Sequence, residues 1–342
     1  MNRRAFSLVT MLVVVILTLS SGYTLAQESF YKGRVIRLVV GFAAGGGFDT
    51  NARIIARHMG KHVPGNPSII VENMTGAGSQ IAANYVYKAA KPDGLTIGTF
   101  AGGLIMNQLF EKPGIEFDAR RFVYLGVPLK SPSVCALTGA SGITSIEKWF
   151  ASKTPIKLGG LSPGNTTDDV PKILKATTGL PVQVVSGYKG TSAIRLAAES
   201  GEVAGGCWDW VGVKAGWHKH LEAGEVVVVL QVTPTPLQDL PNVPLAINFA
   251  RGDNARKLIQ VGIHDQEQLL RLYVLAPGTP KQRIDILREG FQETMKDPAF
   301  ISEMGKAILP VDALPGSEVE RIVQGFFKLD SDFVAQLKEV LR

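Results

Sequence analysis

"VIRLVVGFAAGGGFDTNARIIARHM", residues 35–59, holds a strand, a glycine loop and a helix in the order that begins a parallel sheet. Val35 to Phe42 is an apolar run broken only by Arg37 and Gly41, as expected of a strand covered on both faces. From about Thr50 to His62 the period changes, and Ala52, Ile55, Ala56, Met59 and Val63 share one helical face. Asp49 stands where a cap is expected, and Pro64 stops the helix. Gly45, Gly46 and Gly47 leave the backbone bare at that helix start. Unpaired N–H groups and about half a positive charge favour an anion there, and glycine lets it come close. The bland alternative is a flexible turn with Asp49 as its cap.

The pattern repeats. "SIIVEN" at 68–73 leads through "MTGAGS" into a helix with Ile81, Ala82, Tyr85, Val86 and Ala89 on one side. Asp93 and Gly94 then turn the chain into the strand "LTIGTF" and the helix "GLIMNQLF". A βαβαβ series implies a parallel sheet with helices over its faces. Its strands end in "AAGGG", "TGAGS" and "AGG", and ligands collect beyond such ends. After "FVYLGVPL" a second α/β set follows, with strands "SVCALTG", "IKLGGLS", "VQVVSGY" and "VAGGCWDW" and helices "TDDVPKILKATTG" and "SAIRLAAESG". "TPTPLQDLPNVP" at 233–244 is too rich in proline for a sheet or helix and reads as a surface loop. "RLYVLAPGTP" gives one more strand. Thr279 is the expected N-cap of the next helix, Pro280 its first residue, and Ile284, Leu287, Phe291 and Met295 its buried stripe. A long amphipathic helix, or a broken pair, runs from Glu318 to Leu341.

Residues 1–26 read as a secretory signal: Arg3 and Arg4, the apolar stretch Leu8 to Leu19, then small residues and a cleavage site after Ala26. The stretch is shorter than the roughly 20 residues of a spanning helix. "RRAF" carries a trace of a twin-arginine signal, but the strongly apolar core fits the general secretory route better. No cysteine follows for a lipid anchor, so a soluble periplasmic chain is expected. Without Arg3 and Arg4, 34 basic residues face 30 acidic ones, a mild excess. No basic cluster carries interleaved aromatics, which argues against nucleic acid.

Cys135 and Cys207 are the only thiols. An exported pair permits a disulfide, but their spacing does not show that they meet, and two buried thiols are the expectation. The histidines are His58, His62, His218, His220 and His264, none near a convincing carboxylate or cysteine set, so no metal or other cofactor is expected. Gly41, Gly45 and Gly47 miss the dinucleotide spacing, and no P-loop lysine follows. "GLSPG" at 160–164 fits the nucleophile elbow of secreted serine esterases. That elbow uses the N–H of the residue after the serine, and Pro163 has none. A catalytic set is therefore not expected.

"GFAAGGGFDTNARIIARHM", "VENMTGAGSQIAANYVYKAAKPDGLTIG", "SPGNTTDD", "SGYKGTSAIRLAAESGEVAGGCWD" and "YVLAPGTP" occur in the order found in Bug-type extracytoplasmic receptors of tripartite tricarboxylate transporters, which this chain resembles over nearly all of its length beyond the signal. The usual first loop, "PGGGTD", is here "AAGGGFDT", with Ala44 for proline and Phe48 for threonine. The usual "YKGSAPA" is here "YKGTSAI".

The resemblance implies a two-lobed, Venus-flytrap periplasmic binding protein of type II-like build, with two doubly wound α/β domains and a two-strand hinge. Lobe 1 would be 27–128 plus 236–342, and lobe 2 would be 129–235. It implies a monomer that takes a small organic carboxylate in the interlobe cleft and delivers it to integral membrane permease subunits. Carried over, the ligand-binding residues are Gly46, Gly47, Asp49, Gly78 and Gly102, then Asn165, Thr166, Lys189, Gly190, Thr191 and Asp209. Some have a plainer reading: Asn165 and Thr166 as helix caps, Lys189 as a solvated loop lysine. Trp208 and Trp210, beside Asp209, fit either a cleft wall or the core. A periplasmic sensor for a signalling partner would use the same cleft.

Overall fold

The computed structural model describes residues 30–162, 164–307 and 309–342; the expected signal segment lies outside the described residues. The chain begins β1 (Val35–Val40), α1 (Gly47–Met59), β2 (Ser68–Asn73), α2 (Gln80–Lys88), β3 (Thr96–Ala101), α3 (Gly103–Leu109) and β4 (Val123–Val127). Next come β5 (Ser133–Thr138), α4 (Ile146–Phe150), β6 (Ile156–Gly159), α5 (Thr166–Thr178), β7 (Val182–Val185), α6 (Thr191–Glu199), β8 (Gly205–Asp209), α7 (Trp210–Glu222) and β9 (Val226–Val232). It closes with α8 (Asp253–Ile259), α9 (Asp265–Gln268), β10 (Arg271–Leu275), α10 (Lys281–Lys296), α11 (Pro298–Lys306), β11 (Leu314–Pro315), α12 (Gly316–Phe326) and α13 (Ser331–Val340).

The strands form two sheets, one of six in the order β11-β4-β10-β3-β1-β2 and one of five in the order β7-β6-β8-β5-β9. As expected, β1 runs parallel to both β2 and β3. Elsewhere the sheets are mixed: β4 is antiparallel to β10, and β5 is antiparallel to β8 and β9. A parallel neighbour needs a long crossover; α7 supplies one between β8 and β9, and β5 sits between those two strands. By contacts the described residues divide into a first unit, within 30–100, 122–126 and 273–303, and a second, within 101–121, 127–272 and 304–342.

In the first unit the apolar run of β1 buries Ile36, Leu38, Val39 and Val40, and α1 turns Ala52, Ile55 and Met59 inward. Asn51, also buried, accepts from the Tyr273 hydroxyl at 2.7 Å. In the second unit Val134, Ala136, Ile194, Trp208, Val213 and Trp217 belong to one core cluster. The Trp208 and Trp217 rings lie 5.1 Å apart. Trp208, at 4% exposure, is a core residue rather than a wall. The Trp210 indole N–H donates to Asp239.

Cys135 and Cys207 form a disulfide, which corrects the expectation of two thiols. They stand directly opposite on antiparallel strands β5 and β8, with Cα atoms 4.1 Å apart. Strand pairing made these distant positions neighbours, and sequence spacing holds no record of it.

Several boundaries also move. The N-cap of α1 is Gly46, and Asp49 lies in the first turn. The N-cap of α10 is Pro280, whose carbonyl accepts from Arg283 and Ile284 N–H. Thr279, one residue too early to cap, donates its hydroxyl to the Ala276 carbonyl at 2.8 Å. The stripe of α10 uses Ile286 with Leu287, Phe291 and Met295, leaving Ile284 half-buried. The broken pair at the C-terminus is α12 and α13, the latter capped by Asp330 accepting from Phe333 N–H at 2.7 Å. The proline-rich loop is pinned from beneath by buried Gln231, which donates to the Leu240 and Val243 carbonyls and accepts from Leu237 N–H.

Candidate functional site

In the first unit, Ala43 to Gly46 form an exposed loop between β1 and α1. Gly45 has φ +81°, which glycine alone adopts cheaply, whereas Gly46 at φ −81° is ordinary extended backbone. The conformational need for glycine therefore falls on Gly45 and not on Gly46. Gly47 opens the helix. Asp49 is 2% exposed and points back into the loop. Its Oδ2 accepts from Gly45 N–H at 2.8 Å and from Arg53 Nε at 2.9 Å, and its Oδ1 accepts from the Asn73 amide at 2.9 Å. The Arg53 guanidinium holds the Asp49 carboxyl down at about 2 against its burial, and Gly45 and Asn73 add to the pull. Asp49 thus neither caps α1 nor faces outward; it ties loop, helix and β2 together. The Asn73 amide also donates to the Phe42 carbonyl at 2.8 Å, closing the loop from its other end.

Gly78 lies in the next strand-end loop of the same unit. Gly76, Ala77, Gly78 and Ser79 have φ of +135°, +46°, +61° and +76°, a left-handed run that includes two residues with side chains. Each such side chain costs roughly 1–2 kcal/mol. The run is held against the first loop, because Gly41 is so close to Ser79 that an added Cβ would stand 2.3 Å from the serine Cβ. Gly46, Gly47, Asp49 and Gly78 are thereby brought to one edge of the sheet.

Gly102 belongs to the second unit and is explained by packing: a Cβ there would stand 2.1 Å from the Leu269 carbonyl oxygen. Asn165 is the N-cap of α5 without making the cap bond; its amide donates to Ser162 Oγ at 2.8 Å. Ser162 is therefore bonded within its own loop. Thr166 begins α5, half-buried. The next two carboxylates organise this loop. Buried Asp168 accepts from Thr167 Oγ1 at 3.0 Å and from the Ser186 hydroxyl. Asp169 accepts from Gly164 N–H at 3.0 Å, and burial pushes its carboxyl up to about 6 against the pull of Gly164 and Lys172.

Gly187 N–H donates to Leu161 O at 3.0 Å and Tyr188 N–H to Gly160 O at 3.2 Å, so the loop after β7 lies against the loop after β6. That loop carries Lys189, exposed and without an ion pair among the described residues, then Gly190, the N-cap of α6, and Thr191, its first residue. Asp209 ends β8, the other neighbour of β6, and caps α7 by accepting from Gly212 N–H at 2.7 Å. Asn165, Thr166, Lys189, Gly190, Thr191 and Asp209 thus gather at the C-terminal ends of β6, β7 and β8.

Residues 51–330 match the model of the TctC family, described as tripartite tricarboxylate transporter family receptors. The chain belongs to the TctC family. A curated relative from Agrobacterium vitis, the UPF0065 protein of the TAR-I ttuE-ttuC' intergenic region, is 26% identical over 287 residues, covering 81% of this chain and 75% of its own. Among solved structures, a TctC solute binding protein from Polaromonas aligns with TM-score 0.70 at 16% identity, covering 91% of this chain and 99% of that one. An R. palustris protein solved with adipate aligns with TM-score 0.61 at 21% identity, covering 90% and 96%. These structures share the two-sheet α/β build of periplasmic binding proteins. TctC proteins are solute-binding receptors rather than enzymes.

The structure adds five further residues. Arg53, Asn73, Asp168 and Asp169 hold the two loops, and Glu267 holds the entry to β5, accepting from Ser133 N–H at 3.1 Å. Burial pushes the Glu267 carboxyl up to about 8 against the pull of Ser133, with the charge of Asp209 adding to the rise. Asp169 was legible as an acid in the first turn of a helix; nothing in "DQEQLL" singled out Glu267.

His58 and His62 do meet carboxylates, contrary to expectation: His58 Nε2 lies 2.7 Å from Glu303 and His62 Nε2 lies 3.0 Å from Asp297. Arg57 and Lys61 bind the same two acids, which makes this an ion-pair network joining the end of α1 and the turn after it to Asp297 and α11. Among the described residues no group of three or more His, Cys, Asp or Glu is arranged to hold a metal ion. No helix among them is long and apolar enough to cross a membrane.

Proposed function

We propose that this TctC-family receptor is exported, binds a small organic carboxylate through its strand-end loops and delivers it to integral membrane permease subunits. The residues proposed to hold the ligand are Gly46, Gly47 and Gly78 in the first unit, and Gly102, Asn165, Thr166, Lys189, Gly190, Thr191 and Asp209 in the second. Asp49 is given a different role from the one first expected, since its carboxylate shapes the loop from within. The observation that carries the proposal is the state of the glycine loops. Internal carboxylates fix them and leave backbone and small side chains on the outside, which suits an anion recognised by N–H groups at a helix start. The adipate recorded with the R. palustris structure supports a carboxylate as the class of ligand.

Thermal unfolding with a panel of mono-, di- and tricarboxylates tests the proposal. A ligand at 100 times its Kd stabilises the folded form by about 2.7 kcal/mol, and calorimetry should then give one site. A full panel without any shift overturns it.

A further inference from the structure

The glycine loop of the first unit is flanked by two aromatic rings. Phe42 follows β1 and Phe48 sits in the first turn of α1; their centroids lie 4.1 Å apart with the planes inclined by 28°, a stacked pair. Both are only half-buried, and the five residues between them, Ala43 to Gly47, are all exposed. What this edge of the unit presents is therefore backbone, two methyl groups and two rings. No polar side chain stands among residues 42–48, and the acid that follows, Asp49, is turned inward.

The rings are not needed to close the loop. Gly45 N–H on Asp49, Thr50 N–H on Gly46 O and the Asn73 amide on Phe42 O already tie it at both ends and in the middle. An aromatic pair left half-exposed beside a loop that three hydrogen bonds already tie has apolar surface to offer. A hydroxylated or amino acid would find no side-chain partner for its polar groups along this stretch, and leaving a polar group of a bound ligand unpaired is costly. A flat apolar body loses water against the rings and gains stacking.

Resting on the carboxylate-receptor reading above, we propose that Phe42 and Phe48 select an arylcarboxylate, with the anionic end at the loop backbone and the ring against Phe48. Phe48 is then a specificity residue.

Calorimetry on the purified protein with 3-phenylpropionate and with succinate tests this, read as the ratio of the two affinities. In the unaltered protein 3-phenylpropionate should bind more tightly. Phe48→Thr should lower the ratio by about ten-fold, the order of a lost aromatic contact, and Phe48→Tyr should restore it. Near-UV circular dichroism and Tm show whether each variant is folded; if Phe48→Thr is not, Phe42→Leu, which keeps apolar bulk but removes the stack, should lower the ratio in the same direction. A ratio that favours succinate in the unaltered protein, or that stays put in both variants, overturns the inference and makes the pair a clamp, while the carboxylate-receptor reading survives. If neither probe binds and the wider carboxylate panel also fails, both readings fall.

Discussion

In the first unit Gly45 N–H donates to a carboxylate four residues on; in the second, Gly164 N–H donates to one five residues on. The two loops look alike as backbone and differ in charge. Asp49 is matched by Arg53 at 2.9 Å and lies well below the ordinary carboxylate range, at about 2. Asp169 has lysines in its field but no ion pair with them among the described residues, and burial raises it to about 6. One loop is held by an acid paired with a guanidinium and the other by an acid whose proton affinity burial raises. Carboxylates in two similar loops thus shift in opposite directions according to whether a guanidinium reaches them.

The two units differ most in cross-linking, so the largest effect should come from the second. Replacing Cys135 and Cys207 together by alanine should cost about 3 kcal/mol, within the usual range for a native disulfide, read as a lower denaturation midpoint. A midpoint unchanged on replacement and on reduction would show that strand pairing alone holds β5 to β8.

Asp49→Ala removes three hydrogen bonds at once, from the Gly45 N–H, the Asn73 amide and Arg53, and should cost about 2 kcal/mol. Asp169→Ala loses one backbone bond but also relieves a half-buried charge, and should cost about 1 kcal/mol or less. Equal losses in the two variants would erase the contrast between the loops. At the backbone level, Gly45→Ala should cost about 1 kcal/mol for its positive φ, while Gly46→Ala, extended and with only the Ala43 carbonyl oxygen 3.6 Å from its Cβ, should cost less in thermal unfolding, only what alanine loses as an N-cap.

The smallest effect is on pH. The Asp49 carboxyl is lowered by folding, so its contribution to stability is full above about 4, the unfolded value, and is lost as pH falls toward 2. Asp169 is raised by folding, so the folded form binds the extra proton between about 4 and 6 and stability falls as pH rises through that window. Neutralising Asp169 also removes a negative charge beside the start of α5. Affinity for a fully ionised carboxylate should therefore rise about two- to three-fold from pH 7.5 to 5.5, a fraction of a kcal/mol, and Asp169→Asn should flatten the profile. A slope that persists in Asp169→Asn would move the titration to another group.

Much of this was written locally. The apolar run of β1, the helical period of α1 and the ordered glycine-rich strand ends gave the α/β build, the parallel β1-β2-β3 core and the loops worth attention, because periodicity and turn chemistry act within a few residues. The same local signals misplaced the caps at Asp49 and Thr279, because a cap depends on where the first intrahelical carbonyl falls, and a shift of one to three residues leaves the apolar pattern intact.

What only the tertiary structure decided concerns partners far apart in sequence. Cys135 meets Cys207 through strand pairing, Asp49 meets Asn73 through the neighbouring strand, Asp168 meets Ser186 across two loops, and Glu267 meets the first residue of β5. The antiparallel placement of β5 between β8 and β9 likewise has no local signature. Each of these fixes an electrostatic or covalent environment, and such environments depend on distance in space, which residue spacing does not encode.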